Sequence, residues 1–314
     1  MKQIATVRRS GFALVELIAL IIVIGALLAL IFPALGCARE AARRMQCVNN
    51  LKVLALAVAN YHDVNQCYPT EGYLGGVSNV ERQFGLFPKL IPFMEQSSLF
   101  SQIDWSQSCD DGANASLGKS RIDLLLCPNT LKNDSVDPFD SGSFTTHFYG
   151  CCGAVGDNPN SGATYPSLCS NSDNGSVGAN GIFQIGFHTR MSEITDGTSN
   201  TAVFFESSAN NYDGYRAWQR GAFQLEPAQD ECNWGDWIAH SSKTASLKYK
   251  VNAPNEATGA VFHAPINDAV VASQHAGGAN VAFADGAVYF LASSVDDETF
   301  LGIFSRNGSE KIAR

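Results

Sequence analysis

RRSGFALVELIALIIVIGALLALIFP, residues 8–33, is the stretch on which the reading of the whole chain turns. From Leu17 to Leu35 nineteen residues carry no charge. As a helix they would span roughly 28 Å, close to the hydrocarbon thickness of a bilayer. A basic stretch, Lys2 to Arg9, precedes them, as it does in export signals. Glu16 lies at the start of the oily run and Gly11 just before it. A plain anchor or signal has no use for a carboxylate there, because ionisable groups in hydrocarbon are costly and are kept for a function.

Composition bounds the rest of the chain. It has 314 residues, 45% hydrophobic and 16% charged, enough for a sizeable core beyond the membrane run. Its formal net charge of -9 becomes -12 once Lys2, Arg8 and Arg9 are taken away with residues 1–11. No basic face is left to neutralise phosphates, which argues against nucleic acid as a partner. Nine cysteines include the vicinal pair Cys151 and Cys152 and show no C-x2-C spacing. They read as an exported domain with several disulfides of open connectivity, and Cys37 is the candidate for the odd one.

Gly36-Cys37 also admits a lipoprotein reading, with a lipidated Cys37 as the mature N-terminus, although Ala34 and Leu35 stand in reversed order for such a signal. Another reading accounts for the acid. RRSGFALVEL followed by a long apolar helix resembles the prepilin-type signal of type IV pilins and type II secretion pseudopilins. The resemblance implies cleavage by a prepilin peptidase between Gly11 and Phe12, with residues 1–11 as leader and Phe12 as the methylated first residue. It makes Glu16 the fifth mature residue, which would pair with the terminal amine of a neighbouring subunit and set the register of assembly. Pro33 falls where pilins carry a helix-kinking proline.

Residues 37–66 lack proline and glycine, so the helix should continue beyond the membrane segment of residues 12–36. Met45, Val48, Leu51, Leu54, Val58 and Tyr61 recur at spacings of three and four, an apolar stripe for a globular partner. The expectation is a helix about 80 Å long. Its first half would lie in lipid or a filament core, and its second half against an antiparallel sheet in a head formed by residues 67–314. The fold class is thus α+β and pilin-like, with a loop-rich, disulfide-containing insertion.

Within the head, Phe84 to Phe100 reads as core packing rather than a ligand groove. Residues 133–181, rich in Asn, Asp, Ser and Gly, read as loops stapled by Cys151, Cys152 and Cys169. Asp137, Asp140, Asp157 and Asp173 there lack calcium-loop spacing and read as solvated. Thr195-Asp196-Gly197-Thr198 should turn into a strand over Thr201–Glu206, with its hydroxyls capping the turn rather than catalysing. Asp285-Gly286 signals a hairpin within 275–292, of type I′, with Phe283 opposite Val288 and Val281 opposite Phe290. That pairing turns the large apolar residues toward the helix or core. His275 could cap the sheet edge, bond Asp296 or bind a metal; one histidine with scattered acids makes a poor metal site.

The spacing from His275 to Asp285-Gly286 resembles the H-X9-DG element that accompanies prepilin-type leaders in a large bacterial family of unknown function, found in planctomycete-type genomes. AREAARRMQCVNNLK, NYHDVNQCYP and ITDGTSNTAVFFE are similar to further segments of that family. The resemblance implies a pilin-like fold and peptidase processing, and it implies no reaction. The sequence shows no nucleophile with a base and no phosphate loop, so neither an enzyme nor a cofactor is expected. The expected function is a structural subunit in the inner membrane, single-pass, with its head outside the cytoplasm or at the cell surface. Its partners would be the peptidase, other pilin-like subunits or secretion machinery, and the membrane. The alternative is a membrane-anchored surface protein that binds glycan or another ligand without polymerising.

Overall fold

The computed structural model describes residues 14–71, 84–109, 111–130, 142–157, 164–171, 175–184, 186–208, 217–219, 244–249, 251–252 and 268–308. The chain divides into two compact units, residues 1–43 and 44–314. One helix, α1 (Leu14–Asn65), contributes to both.

In the first unit α1 exposes large apolar side chains around its whole circumference, among them Leu17, Ile18, Ile21, Ile22, Leu28 and Ile31. From Leu17 to Phe32 no polar side chain interrupts them, which is the pattern of a helix made for an apolar surrounding. The helix continues unbroken through Pro33.

The second unit begins with the remainder of α1, and here only one face is buried. Cys47, Leu51, Leu54 and Val58 are fully or almost fully buried, and Tyr61 packs against the same core. The steps of four and three between them keep one stripe facing inward. This shifts the stripe expected from sequence: Met45 is exposed and Val48 only half-buried, while Cys47, a small apolar side chain, takes the inward position. Gln66, in a left-handed conformation with φ 59°, ends the helix, and its N–H donates to the carbonyl of His62 at 2.7 Å.

Three short helices come next in the chain, α2 (Leu86–Leu90), α3 (Ser97–Phe100) and α4 (Gly112–Leu117). Leu86, Phe87, Leu90, Ile91, Met94 and Leu99 join the core that α1 enters, so the aromatic and proline-rich stretch is packing material, as expected. The strands are β1 (Phe148–Ala154), β2 (Gly156–Asp157), β3 (Thr164–Tyr165), β4 (Ser167–Asn171), β5 (Gly175–Gly178), β6 (Ala202–Glu206), β7 (Thr244–Tyr249), β8 (Asp268–Val270), β9 (Gly278–Phe283) and β10 (Val288–Ala292). A final helix, α5 (Asp297–Ile303), starts at Asp296, whose carboxylate accepts from the N–H of Thr299 at 2.8 Å.

The main sheet has the order β10-β9-β6-β1-β7-β8. Its first four strands are antiparallel, and β7 and β8 extend it in parallel. The α+β arrangement expected from sequence, a long N-terminal helix packed on a four-stranded antiparallel sheet, is therefore present. On one face Phe148, Phe204 and Ala282 share a core with Leu51, Leu54 and Val58 of α1. On the other, Cys151, Phe205, Val281 and Phe283 share a core with Phe300, Ile303 and Phe304 at α5. Cover on both faces explains why β6 and β9 are buried along their whole length.

Three expectations require correction. Residues 133–181 are not loops alone: β1 to β5 fall inside them, and β1 is a central strand of the main sheet. Glycine there serves close approach, since a Cβ on Gly181 would lie 2.2 Å from the carbonyl carbon of Cys152. Nor are there staples among the described residues. No disulfide joins any of the seven cysteines whose side chains are described. Cys151 and Cys152 are buried neighbours on a strand, and Cys151 packs in the core at α5. The side chains of Cys169 and Cys232 lie outside those described. An external location drawn from disulfides thereby loses that support; the N-terminal apolar helix is consistent with a single span or a signal sequence.

The third correction concerns the hairpin. It exists, but Val288 pairs with Ala282 and Tyr289 with Val281, one residue away from the expected register. Phe283 N–H donates to Ala287 O, and of the two turn residues only Gly286 has positive φ, at 85°. The link is therefore three residues closed by a glycine bulge, not a two-residue type I′ turn. Because β9 is covered on both sides, its large residues Val281 and Phe283 face α5 and the small Ala282 faces α1.

Candidate functional site

Of the residues expected to serve processing and assembly, Gly11 and Phe12 lie outside the described residues. Glu16 lies in the first turn of α1 and is exposed. Among the acids of the 133–181 segment, Asp157 is exposed and accepts from Thr164 Oγ1 at 2.8 Å. Asp137, Asp140 and Asp173 are outside the described residues. The segment Thr195–Thr198 forms the expected turn. Asn200 Nδ2 donates to Asp196 O at 2.8 Å, and Asp196 Oδ2 accepts from Gly308 N–H at 2.7 Å. The hairpin loop docks on this turn, with Asp285 N–H donating to Thr198 O and Ala284 N–H to Thr201 O.

The chemistry in the second unit collects around His275. Asp296 does not partner it but caps α5. His275 is buried, and its Nε2 lies 3.4 Å from Cys47 Sγ, 3.7 Å from Cys127 Sγ and 3.6 Å from Glu206 Oε1. The two sulfurs are 2.8 Å apart. One donor atom from each of the four residues falls within 4.8 Å of all the others, and all four residues are buried.

Each member is delivered by a different element. Cys47 comes from the inward stripe of α1. Cys127 closes a hook that succeeds the 3-10 turn Asp123–Leu125. That hook is clamped on both sides: Asn50 Nδ2 of α1 donates to Leu126 O at 3.2 Å, and Cys127 N–H donates to His147 Nδ1 at 2.9 Å. Glu206 ends β6. Its Oε1 accepts from Ser208 Oγ at 2.8 Å and Ser273 Oγ at 2.9 Å, and its Oε2 accepts from Asn280 Nδ2 at 3.0 Å. His275 precedes β9, and its N–H donates to Ser273 Oγ at 3.1 Å.

Electrostatics follow from that packing. Hydrogen bonding from Cys47, assisted by His275, pulls the Cys127 thiol down to about 4 against the opposing cost of burial. Burial pushes Glu206 up to about 7, and the negative Cys127 nearby adds to the shift. The pocket therefore favours a thiolate while resisting a second uncompensated negative charge. Thiolate, imidazole and carboxylate are together the donor set of transition-metal sites.

From sequence only His275 stands out of this cluster. Cys47 and Cys127 read there as members of a disulfide set of open connectivity, and Glu206 as the end of a strand. The available signals are weak: a cysteine completing a helical stripe, and an acid closing the apolar run AVFFE. No short spacing motif exists, because the members are up to 228 residues apart.

Residues 37–298 match the model of a family described as a protein of unknown function (DUF1559), most of the chain's length, and the chain belongs to that family. No curated protein and no solved structure matches it significantly.

Proposed function

As a member of DUF1559 the chain inherits no activity, and we propose from its own residues that it is a pilin-like structural subunit. On this reading a prepilin peptidase cuts between Gly11 and Phe12. The apolar first part of α1 then holds the subunit in the inner membrane, with the head outside the cytoplasm, until it assembles into, or associates with, a type IV pilus or type II secretion-like filament. The observation that carries the reading is the first unit: a helix with large apolar side chains on every face and a carboxylate, Glu16, in its first turn. A carboxylate in a bilayer is costly, and a neighbouring subunit's terminal amine offers it a countercharge as helices bundle. The head's α+β form, with the rest of α1 packed on an antiparallel sheet, agrees with such a subunit.

The test is to express the full chain with a prepilin peptidase and determine the N-terminus by mass spectrometry. N-methylated Phe12 is expected, and an intact Met1 or a lipidated Cys37 would overturn the proposal. Glu16→Ala should leave the head folded and reduce recovery in the sheared filament fraction at least tenfold. Unchanged recovery would remove the assembly role. Processing without any filament fraction in the wild type would instead favour an anchored surface-binding protein.

A further inference from the structure

We propose that Cys47, Cys127, Glu206 and His275 form a closed binding site for a divalent transition-metal ion of the zinc type, which ties α1 to the sheet. The site is independent of processing and assembly and rests on the second unit alone.

Geometry is the first argument. Zinc bonds of about 2.3 Å to sulfur and about 2.0–2.2 Å to nitrogen and oxygen give a tetrahedron with edges of roughly 3.3–3.8 Å. The three distances from His275 Nε2, at 3.4, 3.7 and 3.6 Å, are such edges. The two sulfurs, 2.8 Å apart, must open by roughly 1 Å to accept an ion between them, and Glu206 offers an oxygen within 4.8 Å of both.

The direction of the imidazole is the second. A ring nitrogen has a single lone pair or a single N–H, and it serves one partner. Here Nε2 faces two sulfurs and a carboxylate oxygen at once. An ion bound to Nε2 would satisfy all of these groups together.

Charge is the third. Cysteine ligands bind as thiolates, and two thiolates with a carboxylate bring three negative charges into a fully buried pocket. Burying unpaired charge is prohibitive, and a divalent cation removes most of it. The supporting shell is already in place: Asn280 and the hydroxyls of Ser208 and Ser273 orient Glu206, and His147 fixes the Cys127 backbone. Four protein ligands and complete burial leave no open position for substrate, so the site is structural rather than catalytic.

A Cys47–Cys127 disulfide is the rival. It needs the sulfurs at about 2.05 Å, would use both, and leaves His275 and Glu206 gathered around it for no chemical reason.

The test uses the full chain in detergent, purified under reducing conditions, stripped with chelator and reloaded with Zn²⁺ or Co²⁺. One retained equivalent per chain is expected. The cobalt form should show tetrahedral ligand-field bands with a thiolate-to-cobalt charge-transfer band. His275→Ala and Cys127→Ser should abolish retention, and Asn280→Ala should weaken affinity about tenfold. Cys67→Ser should retain the ion, which separates the site from the surface contact of Cys67 with His188 at 3.5 Å. Should the ligand variants fail to fold by circular dichroism, the wild-type cobalt spectrum still decides. No retained ion, a cobalt spectrum without the sulfur band, or a Cys47–Cys127 disulfide in metal-free protein purified in parallel without reductant would each overturn the proposal.

Discussion

Arg44 places its guanidinium carbon 3.6 Å from the ring centroid of Phe290, so the helix that carries Cys47 is also fastened to the edge strand β10. Such a contact contributes about 0.5–2 kcal/mol according to how far it is withdrawn from water. Arg44→Ala and Phe290→Leu should each lower the denaturant midpoint. In a double-mutant cycle the two should couple by about 0.5–1 kcal/mol. Strict additivity would mean that the stacking carries no energy.

The inward stripe of α1 predicts a contrast between near neighbours. Leu54 is wholly buried, whereas Met45, which the sequence pattern also puts on the stripe, is 56% exposed. Leu54→Ala should therefore cost about 2–5 kcal/mol in chemical unfolding. Met45→Gln should stay within about 0.5 kcal/mol of wild type. Equal losses at both positions would mean that the helix packs in the register expected from sequence.

Lys89 gives the head a pH dependence. Its Nζ donates to Thr70 O at 2.6 Å and to Thr70 Oγ1 at 2.9 Å. Burial lowers the amine from 10.5 to about 8, with Glu71 pulling the other way. Between those two values the unfolded chain binds more protons than the folded one, so this residue makes stability rise with pH across that window. Below pH 8 the folded state carries the full cost of a buried ammonium. Unfolding of wild type and Lys89→Met, monitored from pH 7 to 10, should show the wild type gaining relative to the variant. Parallel profiles would refute the assignment.

Much of the architecture was legible because it depends on local periodicity. The uncharged run, the three-and-four spacing of α1 and the strand ending at Glu206 all declare themselves within a few residues. The hairpin was legible as an element but not in register. Asp-Gly permits both a two-residue and a three-residue link, and what separates them is the sandwiching of β9 between α1 and α5. The same long-range covering made the 133–181 segment unreadable: a strand built from Phe148-Tyr149-Gly150-Cys151-Cys152 looks like stapled loop until both of its faces are known to be buried. The cysteine and histidine cluster was invisible for a related reason, since its members converge only through the sheet order.

That sheet order also sets a timetable. β6, at the centre of the antiparallel part, is hydrogen-bonded to β1 before it in the chain and to β9 well after it. Cys47 and His275, the two ends of the buried cluster, are separated by 228 residues. Pairings of this reach close slowly, because the entropy of joining a long loop must be met before the contact rewards it. While the chain is being made, the cover over the apolar stripe of α1 therefore stays incomplete until β9 has been made. For a chain whose first segment is itself apolar, that interval is when it is most exposed to aggregation and most dependent on a chaperone or a membrane surface.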